Sequence, residues 1–371
     1  MQNPCNLCGD RVAVVVGRRG RYGIPLCNVM CLRCTLVWVD PRPAPDELAA
    51  WYRDRYHDEY AGVGMLARDG RVIPAGSAEH AELARDGLEK RVDALLEWTD
   101  LQRLPSARVL EVGCRDGALL ARLKERCGAE VWGVEPSQKE SAVARERGVA
   151  CFCGTLEQLT PPAGPFDVVM LFHVLEHVPD PLAALRRIRA LLAPKGALVL
   201  EVPNLHRPYG SLEDNFFQSA HLFTFSPDTL HWLLLRAGFS SLLSAREVLF
   251  AVARPAPPAQ PDFAQGAGAE WVLRHLAAYR RWHRVTELCK RRGWDGSVEA
   301  ACKALDGSPG GEIYKRHAFL RVGCAAVSRG AHVPARHWLE RVAALGDDTP
   351  EIQTLLRDLR RLANQPTRLR A

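Results

Sequence analysis

Arg108-Val109-Leu110-Glu111-Val112-Gly113-Cys114-Arg115-Asp116-Gly117 carries the fold of this chain. A short apolar run ends in an acid and two spaced glycines, and residues 118–126 continue with helical character. A second apolar run, 131–134, then delivers Glu135. Strand, tight turn, helix and a second strand closing on a carboxylate form the unit with which an α/β sheet grips a nucleoside. A glycine pair after a strand says little alone; the spaced acid and the segments downstream give it weight.

Outward from that unit, residues 77–255 alternate strand and helix signals as a doubly wound domain does. Strands are predicted over 108–112, 130–135, 149–153, 166–172, 197–202, 241–248 and 249–254. Crossover helices are predicted over 117–126, 137–147, 180–192 and 226–237. A long amphipathic helix, 77–98, precedes them, with Leu83, Leu88, Val92, Leu95 and Leu96 on or near one face. Pro194-Lys195-Gly196 reads as a sharp helix-to-strand turn. Ser226-Pro227-Asp228 reads as a helix start, serine capping and proline at the first helical position.

Residues 1–40 have a different grammar. Cys5-Asn6-Leu7-Cys8 and Cys31-Leu32-Arg33-Cys34 are two well-separated Cys-x-x-Cys knuckles. Four thiolates from two such turns suit a tetrahedral zinc whose ligand shell is complete, hence structural and not catalytic. So short a segment buries little core, and a metal would hold it folded. Four unrelated reduced thiols are the plain alternative, and Cys27 lies near enough to be a spare ligand. Short strands are predicted over 12–16 and 36–39. Asp40-Pro41-Arg42-Pro43-Ala44-Pro45 is a stiff linker opening the segment 41–76. A helix bearing Trp51, Tyr52, Tyr56 and Tyr60 follows, the tyrosines sharing one face at a spacing of four. Residues 61–76, rich in glycine, read as a mobile loop, a candidate lid.

After the proline-rich linker Arg254–Pro261, residues 263–371 read as an all-α domain. Trp271, Ala278, Trp282, Val285 and Cys289 recur at near-heptad spacing. Phe319, Val322, Gly323, Ala326, Gly330, Ala335 and Leu339 faintly resemble one tetratricopeptide hairpin, without the roughly three repeats an array needs. A plain bundle or dimerisation cap is the simpler reading, which makes this end a candidate surface for a protein partner or self-association. Arg357, Arg360, Arg361, Arg368 and Arg370 read as a solvated face and loose end.

The chain has 371 residues, 47% hydrophobic and 25% charged, an ordinary globular balance with room for two or three domains. A net charge of +6, spread without a polybasic block, gives only slight support to nucleic acid or a membrane as partner, and neither is expected. No run approaches the ~18 apolar residues that span a bilayer, and no apolar signal segment opens the chain. The expected location is the cytoplasm, where 12 cysteines fit if some bind metal and the rest stay reduced.

Several words of the sequence, in order, resemble class I S-adenosylmethionine-dependent methyltransferases with an N-terminal zinc ribbon. They are Val109-Leu110-Glu111-Val112-Gly113-Cys114, Val131-Trp132-Gly133-Val134-Glu135-Pro136-Ser137, Phe166-Asp167-Val168-Val169 and His173-Val174-Leu175-Glu176-His177-Val178. Leu191 through Gly196, Glu201-Val202-Pro203-Asn204, His221-Leu222-Phe223-Thr224-Phe225-Ser226 and Ala237-Gly238-Phe239 continue the match. The resemblance covers residues 1 to about 255 and implies a Rossmann-like core with a seven-stranded mixed sheet, S-adenosylmethionine as cofactor and methyl transfer as activity. The ribbon-bearing branch, which includes sugar C-methyltransferases, implies a small-molecule acceptor: a nucleotide-linked sugar, a polysaccharide terminus or a natural-product precursor. RNA or protein methylation, or an inactive cofactor-binding scaffold, are the alternatives.

Chemistry assigns the residues. Glu135 is placed to accept both ribose hydroxyls of the cofactor. Gly113 and Gly117, around Cys114, let the backbone approach, and the helix that follows offers amides to its carboxylate. Glu111 meets the ammonium, directly or through water. The resemblance puts Pro136 among the cofactor-binding residues, Thr155 and Leu156 at the adenine, and Phe172 and His173 on the methionine side. His173 and His177 also read as structural hydrogen-bonders. Arg115 stands where the family usually has a third glycine, so its side chain crowds the cofactor, reaches its carboxylate or points to solvent. His221 is the first candidate base, an unperturbed imidazole titrating near 6.5. The related C-methyltransferases carry a Glu-His pair at a similar site; here Ala220 precedes His221, and the acid is missing. Asp214, Glu213, His177 and Tyr56 are secondary candidates.

Overall fold

The computed structural model describes residues 3–44, 47–48, 50–51, 65–66, 72–74, 76–104, 106–160, 165–245, 248–292 and 332–344, with 303, 319 and 357. Three strands come first, β1 (Ala13–Arg19), β2 (Pro25–Cys31) and β3 (Val37–Val39). The pair β4 (Met65–Leu66) and β5 (Val72–Ile73) lies within the stretch expected to be a plain loop. The long helix α1 (Ala78–Trp98) starts on Ser77, whose hydroxyl accepts the His80 amide, and buries Val92, Leu95 and Leu96. The core then runs β6 (Arg108–Val112), α2 (Ala118–Cys127), β7 (Glu130–Glu135), α3 (Gln138–Glu146), β8 (Ala150–Cys153) and β9 (Phe166–Phe172). It closes with α4 (Pro181–Leu191), β10 (Leu192–Pro203), β11 (Phe223–Thr224), α5 (Pro227–Ala237), β12 (Phe239–Ala245) and β13 (Val248–Pro255).

Seven of these strands form one sheet in the order β12-β13-β10-β9-β6-β7-β8. Strands β6 to β10 pair in parallel, and β13 runs antiparallel to both neighbours. This is the Rossmann-like methyltransferase architecture that the sequence implies. Parallel strands covered on both faces need continuous apolar runs, and Val109, Leu110, Val168 to Leu171 and Leu198 to Leu200 are all buried. Helix starts follow their chemistry: Asp180 caps α4 ahead of Pro181, and Ser226 exchanges a reciprocal capping box with Thr229 on α5.

Three local expectations change. Pro194-Lys195-Gly196 lies inside β10, where the pairing with β9 shifts register between Leu192 and Ala197. The expected boundary between the last two strands at 248 moves, since β12 runs to Ala245 and β13 already starts at Val248. A third strand, β2, sits between the two predicted in the N-terminal segment, and its sheet acquires a fourth, distant member, β11, in the order β1-β2-β3-β11. The N-terminal segment is therefore sheet-continuous with the core segment that follows β10.

The chain divides into two compact units, Met1–Gly64 with Pro74–Ala269, and Met65–Ile73 with Glu270–Ala371. In the second, α6 (Ala269–Arg292) buries Val272, Leu276, Tyr279 and Trp282 along one stripe, and α7 (His332–Ala344) buries Leu339 and Val342. The side chains of Val285 and Cys289, most of the tetratricopeptide-like hairpin and the arginine tail beyond Arg357 fall outside the described residues. No described helix is long and apolar enough to cross a membrane.

Candidate active site

The strand that follows β6 in sequence lies on one side of it and β9 on the other, so the carboxyl ends of β6 and β9 flank the topological switch point of the sheet. Two glycines shape the β6 end. Gly113 has φ +75°, and a Cβ there would sit 2.5 Å from Val174 Cγ2. Gly117 has φ +70°, and a Cβ would lie 2.9 Å from that of Ala144. Only glycine lets this loop run so close to the β9 turn and to α3.

Two carboxylates face the same crevice from strand ends. Glu135 is buried; its Oε2 accepts the Arg115 amide at 3.0 Å and its Oε1 the Ser137 amide at 2.9 Å. Each oxygen keeps a lone pair for a further donor. Burial pushes its pKa up, against the lowering effect of those amides. Glu111 is buried too, and its Oε2 has no hydrogen-bond partner. Burial pushes this carboxyl up to about 8. An orphaned acid beside a glycine cradle fits a ligand that brings its own ammonium, so these residues suit S-adenosylmethionine.

The other residues predicted for the cofactor lie at or just beyond the carboxyl ends of β6, β7, β8 and β9. Cys114 is buried with its Sγ over Gly133, where a Cβ would meet it at 2.4 Å, and 3.7 Å from Cys151 Sγ. Arg115 adopts φ +49° with its side chain exposed, so the substitution is accommodated by a left-handed backbone and not by filling the crevice. Pro136 and Thr155 are half-buried and Leu156 is buried, its carbonyl receiving Arg187 Nε at 2.8 Å. Phe172 lies under the Arg91 guanidinium at 4.2 Å.

A second cluster assembles beyond β9. His177 donates Nδ1–H to the Ala220 carbonyl at 2.9 Å, and its ring stands edge-on to His221, 4.9 Å between centroids. Glu176 is fully buried between them and His173, with Oε2 unpartnered. Glu176, His177 and His221 each bring a ligand atom within 4.8 Å of the others, a donor set that could also hold a cation. Glu176, from another segment, brings a carboxylate within 4.8 Å of His221 without hydrogen-bonding to it. Burial lowers His221 to about 3 and His177 below its ordinary value, so both are neutral imidazoles. The expected titration of His221 near 6.5 is therefore corrected, because the ring is desolvated.

His173 behaves oppositely. Its Nε2 lies 2.9 Å from Glu201 Oε1 and its Nδ1 3.2 Å from Glu176 Oε1. Burial alone would lower its pKa, yet the two carboxylates outweigh that and raise it to about 10. Both nitrogens are committed, and the residue is an imidazolium inside an ion network that Arg91 extends to Glu201 at 3.2 Å. Burial pushes Glu176 up, but the hydrogen-bonded His173 imidazolium keeps it below the ordinary carboxylate range.

Asp214 is engaged elsewhere, accepting the Ser211 hydroxyl at 2.7 Å in a local turn. Tyr56 lies outside the described residues. Glu176, Glu201 and Arg91 went unnoticed as site residues in the sequence. Glu201 ends a parallel strand, as Glu111 does, and the strand-end rule extended to β10 finds it; Glu176 and Arg91 offer no local signal.

In the N-terminal sheet the four knuckle thiols converge. Cys5 Sγ lies 3.4 Å from Cys34 Sγ and Cys8 Sγ 3.5 Å from Cys31 Sγ, all four within 4.8 Å. Four sulfurs at this spacing fit a tetrahedral zinc, and Cys27 is not among them.

A family model described as a methyltransferase domain matches residues 78–244. Among curated proteins, a ubiquinone biosynthesis O-methyltransferase of Xanthomonas campestris pv. campestris is 39% identical over 131 residues, 32% of this chain and 54% of its own length. The protein of that name from Pseudomonas aeruginosa is 37% identical over 117 residues, 29% and 50% of the two chains. The chain thus spans about half the length of the curated relatives it matches. Among solved structures, the magnesium protoporphyrin IX methyltransferase of Synechocystis, with bound S-adenosylmethionine, aligns at TM-score 0.38 and 21% identity over 56% of this chain and 95% of its own.

Proposed function

Through residues 78–244 this chain belongs to the class I S-adenosylmethionine-dependent methyltransferases, and on that premise we propose that it methylates a small-molecule acceptor. The single observation that carries this reading is the pairing, around one switch point, of the Glu111–Glu135 cradle with the neutral His177–His221 pair backed by Glu176. The cofactor supplies a methyl group on a sulfonium. Glu135 accepts the ribose hydroxyls and Glu111 the ammonium, while Thr155 and Leu156 flank the adenine and Phe172 the methionine chain. His221 takes the proton of the acceptor, and Glu176 stabilises the imidazolium that forms. Proton transfer of this kind contributes roughly 10²- to 10⁴-fold. The chain's other task is alignment and exclusion of water.

A nucleotide-linked sugar, a polysaccharide terminus or a natural-product precursor is the proposed acceptor class, in the cytoplasm. The relatives named as ubiquinone biosynthesis O-methyltransferases favour an oxygen nucleophile on a small molecule. Structural zinc in the four-thiol site belongs to the same reading, as does a partner or self-association surface on the helical unit.

The test is calorimetric titration of S-adenosylmethionine and S-adenosylhomocysteine into zinc-loaded protein, alongside Glu135→Ala. Micromolar binding lost in the variant, followed by methyl transfer in a small-molecule acceptor screen, is the expected result. Absence of binding at near-millimolar ligand overturns the reading in favour of a scaffold. Salt-sensitive RNA methylation would move the acceptor class to nucleic acid.

A further inference from the structure

The segment carrying His221 is not held by the methyltransferase core alone. Phe223 and Thr224 pair with Trp38 and Val37, making β11 the fourth strand of the knuckle-bearing sheet. The Val39 amide donates to the Leu222 carbonyl at 3.0 Å, and the Arg21 amide to the Phe217 carbonyl at 2.9 Å. On its other side the segment touches the core through the Phe223 amide, which donates to the Glu176 carbonyl at 3.1 Å. Between these anchors lie Ala220, whose carbonyl orients His177, and His221 itself.

Gly17 and Gly20 of the knuckle-bearing sheet are shaped to this segment. A Cβ on Gly17 would meet the Phe217 ring at 2.9 Å, and one on Gly20 the Phe217 carbonyl at 3.1 Å. Phe217, Leu222, Phe223 and Trp38 are buried at the seam. Arg21 also reaches toward Gln218, at 3.5 Å, and its charge bears on His221. The turn joining β2 to β3 is the second knuckle, with Cys31 ending β2 and Cys34 preceding β3. A metal held by Cys31 and Cys34 in that turn would fix the strand on which β11 is built.

We propose that the zinc ribbon is a positioning element of the acceptor site: β3, Gly17 and Arg21 set the place of Ala220 and His221, and so of His177, without taking part in cofactor binding. The proposal rests on the methyl-transfer reading for its meaning but not for its test. The proposed cofactor residues lie on β6 to β9 and the loops that follow them, and none of these four strands pairs with the ribbon sheet. Loss of the ribbon's order therefore disturbs one half of the site and spares the other.

The experiment uses the full chain, with S-adenosylhomocysteine as probe. Zinc is removed with a chelator, and backbone amide exchange is followed by mass spectrometry. Exchange across 217–224 accelerates at least about tenfold together with 37–39, while S-adenosylhomocysteine affinity changes less than about threefold. Unchanged protection of 217–224 after zinc has left overturns the proposal, and so does parallel loss of S-adenosylhomocysteine binding. A second arm leaves the metal in place: Gly17→Leu, with zinc content verified, drives a side chain into Phe217. The His221 ring resonance then shifts, and adding Phe217→Ala moves it back. A His221 resonance unmoved by Gly17→Leu overturns the proposal as well. If wild-type protein binds no S-adenosylhomocysteine, the methyl-transfer reading fails, and the exchange and resonance measurements still decide the positioning role.

Discussion

The two halves of the site are built by different means. On the cofactor side, Glu135 and the Arg115 amide that it fixes lie 20 residues apart within one strand-helix-strand unit. On the acceptor side, His177 meets the Ala220 carbonyl across 43 residues, and Arg91 meets Glu201 across 110. Short loops close at little entropic cost, so the first half can form from its own unit. The second depends on the whole core and on a sheet contributed by the N-terminal segment. The halves also store charge differently. Glu111 is a buried acid with one oxygen unpartnered, whereas Glu176 already faces an imidazolium and two neutral rings.

The largest expected effect breaks the cofactor half. Glu135→Ala removes two charged hydrogen bonds to the ribose, each worth about 1.5–3 kcal/mol, and weakens S-adenosylhomocysteine binding about 10²- to 10⁴-fold by calorimetry. A melting temperature near wild type will separate this loss from unfolding. Next comes the acceptor half. Glu176→Gln lowers methyl transfer roughly 10²-fold or more while cofactor affinity stays within about threefold. Because His173 loses one of its two carboxylates, its NMR titration moves down from about 10. Equal losses of turnover and cofactor binding would erase the distinction between the halves.

A smaller effect sharpens the charge contrast. Glu111 is protonated below about 8, and a cofactor ammonium requires it ionised. Affinity therefore rises with pH by up to about tenfold per unit until near 8, then levels, with a proton released on binding. The same raised pKa makes its contribution to stability complete below the ordinary carboxylate range and lost as pH rises through about 8. Calorimetry in buffers of different ionisation enthalpy counts the proton, and Glu111→Gln flattens the slope. His221, neutral down to about 3, adds no acidic limb between about pH 5 and 8. The smallest effect is at Arg115. Its left-handed backbone costs roughly 1 kcal/mol, so Arg115→Gly raises the melting temperature by a few degrees and changes cofactor affinity less than about threefold.

Much of the geometry at the ends of β6 and β7 was legible because its signals are local. The strand-ending acids Glu111 and Glu135, the glycines at φ > 0 and the capped helix starts each act over a few residues, and periodicity reports them. The knuckle spacing likewise brought four thiols together. Pro194 to Gly196 misled because a proline-glycine pair marks a bulged strand entry as readily as a turn. Glu176 was hidden inside a quoted motif, since nothing in a sequence says which of two adjacent polar residues will face a histidine from a distant segment.

By itself the sequence determined which groups are present and in what order: four thiols in a ribbon, then a methyltransferase core with acids near the ends of its strands. Propensity, capping and glycine geometry operate along the chain, so a linear reading reaches them. Tertiary structure alone decided which imidazoles are neutral and which is charged, because desolvation and neighbouring carboxylates come from segments that meet only in the fold. It also decided that a short strand beside His221 completes the ribbon sheet. Pairing between strands so far apart in the chain is set by shape and buried area at the seam, which no local pattern encodes.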